Sequence, residues 1–369
     1  MLVDLSQMNG LTIDESAHTA TIQPGLIGTD LNRALRKHSL FFPSGHCMNV
    51  GLGGFLLQGG FGWNSRLWGP ACVSVHAVDV VTASGELVRA DEKQNADLFW
   101  AARGAGPGFF GIITRFHLAL QSRPKIFMRS DYLYSLDVYD EVLRFVLDVQ
   151  PRLSRKMECM IFTRRDMFGH AGPAALLTAP VIADSKEEAA EALAILETCP
   201  VVGKAMVRNV NVFTEFDELL QGGEELLYPP GARYAADNMW THASIDKLLP
   251  GMRKIAATLP IAPSHMMWML WGPTEPRPEM AFSMEDNLYI ALYAVWQKEA
   301  EDAQHQAWVT GHMQNLEPFA SGIQLADENL GARPFRFMDE GKFKRLEAIR
   351  AKRDSAGLFH SYMGLPKSY

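Results

Sequence analysis

Glycine fills positions 45, 51, 53, 54, 59, 60 and 62 of the stretch that runs from Pro43 to Gly62. No helix or regular strand carries glycine at that density, because each one adds backbone freedom that folding must remove. The segment is therefore a loop. Such a loop is kept where main chain must come close to something flat or anionic. A thiol, Cys47, stands at its entrance, with His46 beside it. The guest that suits this chemistry is a large planar cofactor carrying phosphates.

A second break, Gly104-Ala105-Gly106-Pro107-Gly108, continues to Gly111 and matches GxGxxG as a string. A dinucleotide fingerprint follows a strand and opens a helix. Here the order is reversed: a helical pattern from Asn95 to Arg103 precedes the glycines, and an alternating strand from Gly111 to Leu120 follows. The Rossmann reading fails on that setting. The strings GxxxxGK[ST] and HExxH do not occur, which sets aside P-loop enzymes and zincins. Between the two loops lie a strand at Val73 to Val81, a turn at Ser84-Gly85 and a return strand at Glu86 to Arg89. Both loops are expected to present backbone N–H groups to a ligand, as functional loops on a rigid scaffold do. Tight packing is the alternative for either loop alone.

With 369 residues, 47% of them apolar and 21% charged, the chain can bury one large core or two ordinary ones. A formal charge of −7 offers no basic field for nucleic acid. Cys47, Cys72, Cys159 and Cys199 form no CxxC pair and fit no zinc spacing, so neither a metal site nor a disulfide framework is expected. No apolar run is long enough to span a bilayer and no leader is visible, so a cytoplasmic protein without membrane contact is expected.

Strands are expected at Met1 to Ser6 and Thr19 to Gln23, and a helix capped by Thr29 runs to His38. Composition shifts near Gln121 to Pro124. Beyond it, strands read at 128–136, 158–163, 174–180, 265–271 and 288–295, and helices at 138–153, 185–197, 244–257, 299–316 and 342–352. The pattern is α+β, a sheet with helices on one side. Trp63, Trp68, Trp100 and Trp271 read as core or wall residues. His242 and His265 lie in the second region, and a lone histidine there reads more readily as a satisfied core or surface residue than as an acid or base.

These residues resemble the flavin-linked oxidase family that includes vanillyl-alcohol oxidase, the berberine bridge enzymes and 6-hydroxynicotine oxidase. The likeness runs through nearly the whole chain. Pro43 to Gly62 looks like the family's glycine-rich flavin loop. Asp97-Leu98-Phe99-Trp100-Ala101-Ala102-Arg103-Gly104, with Gly106 and Phe110-Gly111-Ile112-Ile113-Thr114, looks like its second signature. Arg345-Leu346 through Arg353-Asp354, with Gly357-Leu358-Phe359, is similar to the closing element of berberine-bridge-like members. The resemblance implies FAD. It implies a partial FAD-binding α+β domain of the vanillyl-alcohol oxidase (PCMH) type over 1–122, and a substrate domain over 123–335 with an antiparallel sheet covered by helices. Residues 336–369 would return to the FAD domain. Cofactor contacts carry over to Cys47, Met48, Asn49, Val50, Gly51, Gly53, Gly54, Gly106, Gly111 and Ile112. Cys47 falls where bicovalent members bond cysteine to flavin C6, although Met48-Asn49 replaces their Pro-Thr. Val50 matches the position where a small side chain admits oxygen, and Gln58 stands where many members have glycine.

Family members also begin with a flavin subdomain bearing an Arg-x-Gly-Gly-His loop, and none precedes Met1. A shortened start is the expectation. The alternatives are a separate chain that supplies that half, or a non-catalytic remnant that binds a partner and no flavin. The implied chemistry is an oxidase: hydride passes from a small alcohol, amine or sugar C–H to flavin N5, and the electrons then pass to molecular oxygen. The base should lie on the substrate-domain sheet. Tyr134, His265 and Tyr293 are the candidates by location.

Overall fold

The computed structural model describes residues 2–227, 229–273 and 276–365, the side chains of 222–226 excepted. The chain divides into two compact units. The first comprises Met1–Arg123, Glu275–Met284 and Arg336–Tyr369, and the second Pro124–Thr274 and Glu285–Phe335.

In the first unit, β1 (Leu11–Asp14) and β2 (Thr19–Ile22) lead to helix α1 (Gly28–Arg36) and the short strand β3 (Leu40–Phe41). Inside the glycine segment, expected from sequence to be loop throughout, Leu52–Leu57 form the short helix α2; after the segment come α3 (Ser65–Trp68), β4 (Val75–Val81), β5 (Leu87–Ala90), α4 (Ala96–Ala102), β6 (Ile112–Ala119) and β7 (Gln121–Ser122). Five strands form an antiparallel sheet in the order β1-β2-β6-β4-β5, and β3 pairs with β7. A register shift between Asp79 and Val80 leaves Ile113 buried like Phe116 and Leu118, so the simple alternation expected along β6 is broken there.

Two expectations fail at the start of this unit. No strand forms over residues 2–6, and Met1 lies outside the described residues. Instead the chain turns, Met8 N donating to Leu5 O at 2.9 Å, and wraps Gly25, where a Cβ would sit 2.6–2.9 Å from the carbonyl oxygens of Leu5, Ser6 and Met8. Thr29 does not cap α1. Ile27 holds the N-cap position, and the Thr29 hydroxyl donates instead to the Met48 carbonyl.

The second unit opens with β8 (Ile126–Ser135) and α5 (Tyr139–Val149), then β9 (Cys159–Met167), β10 (His170–Ala183) and α6 (Lys186–Ala194). It continues through β11 (Val207–Thr214), α7 (Phe216–Leu227), β12 (Arg233–Thr241), α8 (Ile245–Thr258), β13 (His265–Leu270), β14 (Leu288–Trp296) and α9 (Asp302–Leu316). Seven antiparallel strands form one sheet in the order β11-β8-β10-β9-β13-β14-β12. Helices α5, α6, α8 and α9 lie on one face of it. Their apolar stripes, such as Val142, Leu143, Val146 and Val149 of α5, interlock with Ile161, Leu177, Trp268 and Ile290 from the strands. Because side chains alternate along a strand, Leu288, Ile290, Leu292 and Ala294 of β14 enter that core while Tyr289, Ala291 and Tyr293 point to the opposite face.

The last helix, α10 (Glu340–Arg353), belongs to the first unit and is capped by Asp339, whose carboxylate accepts from Gly341 N and Lys342 N. Arg353 forks onto Asp97 of α4, and Tyr362 donates to Ala105 O at 2.6 Å. Residues 275–284 also join the first unit, although they fall within the stretch assigned from sequence to the substrate domain. Among the described residues no helix is long and apolar enough to cross a membrane.

Candidate functional site

The first glycine loop is closed at its base by a bridge between Gly45 and Gly62 and pinned in the middle by one between Ile27 and Gly51. Most of its glycines serve the chain's own packing. A Cβ at Gly62 would lie 1.9 Å from Pro43 O, one at Gly53 2.8 Å from the Pro24 ring, and one at Gly59 2.4 Å from the Phe282 ring. Gly51 and Gly54 differ: both are exposed, and a Cβ there meets nothing within 4 Å. Between them and the base, His46, Cys47, Met48 and Val50 are half-buried and Asn49 is exposed. The exposed points of the strip from His46 to Gly54 are thus Asn49, Gly51 and Gly54, while Leu52 and Gly53 are buried beneath it, their amides donating to Leu26 O and Pro24 O. None of the four cysteines is joined in a disulfide, and Cys47 is the one that is not buried. The His46 ring lies 4.6 Å from that of Trp63.

The second loop is not laid open as expected. Residues 103–106 are buried, and its glycines admit segments that are remote in sequence. At Gly104, with φ +119°, a Cβ would stand 2.2 Å from Phe282 N. That amide donates to Arg103 O at 2.8 Å, so the strap near residues 279–284 runs directly across this turn. Gly108 makes room for the Tyr362 hydroxyl and Gly111 for Val80. Gly106 (φ +54°) is buried in the same turn, while Gly111 and Ile112 are half-buried where β6 begins.

The second unit gathers ionisable groups on the sheet face opposite its four helices. Tyr289 and Tyr293, two rungs apart on β14, both donate to Oδ2 of Asp327, at 2.8 and 2.9 Å. Oδ1 of Asp327 takes no protein hydrogen bond among the described residues. Burial pushes the Asp327 carboxyl up, and the two tyrosine hydroxyls pull it back in part. His265 of β13 pairs across the ladder with Tyr293 and stacks on it, the rings 4.7 Å apart at 19°. His265 is buried, and its pKa falls to about 4, first through burial, with nearby Arg164 adding and the Pro263 carbonyl opposing. It is therefore a neutral imidazole at neutral pH, with Nδ1 donating to Pro263 O at 2.9 Å. Trp240 packs against Tyr289 and Trp271 on the same face.

Of the three candidate bases, the fold brings together His265 and Tyr293 and leaves Tyr134 apart. Tyr134 lies in the helix-covered core, stacked on Tyr132, and burial drives its hydroxyl far up, with nearby Cys199 adding. Such a group neither meets substrate nor ionises near neutrality. His242 is exposed and paired with Asp286. Asp327 was not singled out from sequence, since it sits in a loop with no periodicity; the two tyrosines sharing one face of β14 were the legible signal. Among the described residues no cluster of His, Cys, Asp or Glu is arranged to hold a metal ion.

The fold is shared with solved flavoproteins. It superposes on 6-hydroxy-D-nicotine oxidase from Arthrobacter nicotinovorans with a TM-score of 0.83, at 19% identity over 98% of this chain and 82% of that one. The grass pollen allergen Phl p 4, which has glucose dehydrogenase activity, matches with a TM-score of 0.78, at 21% identity over 99% of this chain and 80% of that one. Residues 1–91 match the FAD binding domain family. The FAD-linked oxidoreductase janO of Penicillium janthinellum is 34% identical over 359 residues, covering 96% of this chain and 79% of that protein. The chain belongs to the FAD-linked oxidoreductases. FAD is its cofactor, and the exposed backbone at Gly51 and Gly54, where a Cβ would meet nothing within 4 Å, fits the close approach of a flat ring or phosphate.

Proposed function

We propose that this FAD-linked oxidoreductase is an oxidase that takes hydride from the C–H of a small alcohol, amine or sugar and delivers the electrons to molecular oxygen. FAD, when bound, supplies the two-electron acceptor. Cys47, Met48, Asn49, Val50, Gly51 and Gly54 hold it through the strip from His46 to Gly54, Gly53 by seating that strip on Pro24, and Gly106, Gly111 and Ile112 from the second loop. Cys47, half-buried at the start of this strip, is the thiol placed for a covalent bond to it.

The observation that carries the acid–base part is the arrangement at Asp327. Both tyrosine hydroxyls occupy one carboxylate oxygen and leave the other open. Asp327 Oδ1 is the proton acceptor for the substrate's OH or NH as hydride leaves the adjoining carbon. Tyr289 and Tyr293 hold the carboxylate in place, and stacking on neutral His265 holds Tyr293. A carboxylate raised toward neutrality by burial is a better base than an exposed one. The Val50 side chain is small enough to leave oxygen access. This is supported by Phl p 4, whose wild type is a glucose dehydrogenase and whose isoleucine-to-valine variant is a glucose oxidase.

The test is a stopped-flow screen of FAD-loaded protein against small alcohols, amines and sugars, under nitrogen and then in air. At least one substrate should bleach the yellow band under nitrogen, with recovery and stoichiometric hydrogen peroxide once air enters. Bleaching that persists in air would refute the oxidase assignment, and a panel with no bleaching would refute the substrate class.

A further inference from the structure

We propose that Asn238 is a positioning residue for Asp327: its side-chain amide ties the loop bearing Asp327 to the strand pair bearing Tyr289 and Tyr293. The inference rests on the reading of Asp327 as the proton acceptor.

Asn238 lies on β12 directly opposite Ala291 of β14, and Ala291 is the residue between the two tyrosines on their face of the sheet. The methyl of Ala291 leaves room for the loop to descend there. Asn238 is fully buried, and all three of its side-chain hydrogen bonds go to that loop. Its Nδ2 donates to Gln324 O at 2.9 Å and to Asp327 O at 2.8 Å, and its Oδ1 accepts from Gln324 N at 2.7 Å. The amide therefore grips the main chain of the catalytic candidate itself. The two tyrosines reach its carboxylate from the neighbouring strand, so carboxylate and hydroxyls share one rigid frame.

A second anchor holds the far end of the loop and the strand beneath Asn238. Arg333, buried, forks onto buried Asp237 and donates from Nη2 to the Asn238 carbonyl at 2.7 Å. Asn329 also donates to Asp237, at 3.1 Å, while Trp240 N donates to Gly322 O at 2.8 Å. These contacts fix the loop ends. Asn238 alone among them touches the main chain at Asp327, so removing it should free the carboxylate while the ends stay docked.

The titratable groups around Asp327 are the hydroxyls of Tyr289 and Tyr293 and, behind Tyr293, neutral His265 with Arg164 beside it. Freed from its tether, the carboxylate gains water, and its titration should fall toward the ordinary carboxylate range.

The experiment uses FAD-loaded wild type, N238A and N238S, with the Asp327 carboxyl carbon followed by NMR and assigned by its loss in D327N. Amide exchange is measured on the same samples. In N238A the Asp327 midpoint should move down, and residues 322–330 should exchange roughly tenfold faster or more, with β8 to β10 unchanged. N238S, which keeps a donor, should fall between. An unmoved midpoint overturns the proposal even if exchange quickens, because the amide would then be structural only. Should N238A not fold, N238S decides by the same two readouts. In wild type the Gln324 amide must be protected as strongly as β12, and rapid exchange there also overturns the proposal. Turnover of D327N, on the substrate found in the screen, separates the two ideas. Full activity overturns the role of Asp327, and with it any catalytic sense of the tether. Lost activity with an unmoved N238A midpoint overturns the tether alone.

Discussion

Lowering the pH should unfold the second unit in a window set by His265. The imidazole is buried against Tyr293, with a pKa of about 4 against 6.5 for an ordinary histidine. The unfolded chain therefore takes up a proton below 6.5 while the folded one stays neutral until about 4. Between those values the unfolded state binds more protons, so stability is lost as pH falls and is fully present above 6.5. At pH 5 the two titrations differ enough to cost about 2 kcal/mol, and below both pKa values about 3 kcal/mol. Because His265 is buried, solvent screening does not discount the figure. Other groups titrate in the same range, among them His76, His117 and His312, each shifted down chiefly by loss of hydration. The measurement is therefore a difference. Wild type and His265→Asn are unfolded in urea from pH 7 to pH 4.5, and their midpoints are compared at each pH. Asparagine keeps an N–H for the Pro263 carbonyl and cannot take a proton. The loss of ring stacking on Tyr293 shifts the variant by an amount independent of pH. Wild type should lose about 2 kcal/mol relative to the variant between pH 7 and pH 5. A difference that stays flat over that range would mean that His265 is hydrated or already paired in its charged form, and the burial argument would be wrong.

Arg333→Met should destabilise by about 3–5 kcal/mol, because it strands the Asp237 carboxylate in the core, and D237N added to it should recover much of the loss in denaturant midpoints. Gly104→Ala should cost about 2 kcal/mol or more, since φ of +119° and a Cβ 2.2 Å from Phe282 N strain both the turn and the strap across it; thermal melts of the two proteins check this. In steady-state assays on the substrate found in the screen, Asp327→Asn should lower kcat about 10²–10⁴-fold, as loss of a general base does, with FAD content unchanged in the absorption spectrum.

The elements written by periodicity were legible. The expected helix over 244–257 is α8 at Ile245–Thr258, and the strand over 265–271 is β13 at His265–Leu270. Their apolar residues face one core, so spacing alone marks them. The edge strand β11 went unread because its pattern does not report burial: Val210, Val212 and Phe213 are exposed. The strap near residues 279–284 was also invisible. Its role depends on the emptiness of Gly59 and Gly104, far earlier in the chain, and a glycine does not say which distant segment it admits. The density of glycine in the first loop reads as close approach to a ligand, whereas most of these glycines admit other parts of the chain itself.

Strand β12 went unread for a related reason that bears on function. Its sequence, Arg233-Tyr-Ala-Ala-Asp-Asn-Met-Trp-Thr241, carries two polar residues in a row at its centre, which is the mark of a turn rather than of a buried strand. Asp237 and Asn238 are both fully buried. Burying such groups is costly unless each finds partners; besides the Asn238 N–H that donates to Asp237 Oδ1, the partners come from the one loop and its flank: Arg333 and Asn329 for the carboxylate, Gln324 and Asp327 for the amide. A strand that needed only to be a strand would have apolar residues at these two positions and be easier to recognise. The interruption thus locates the loop that the strand must hold, and through it the carboxylate set beside Tyr289 and Tyr293. For this sheet, the place where hydrophobic patterning fails is a better guide to the catalytic candidates than the positions of its histidines.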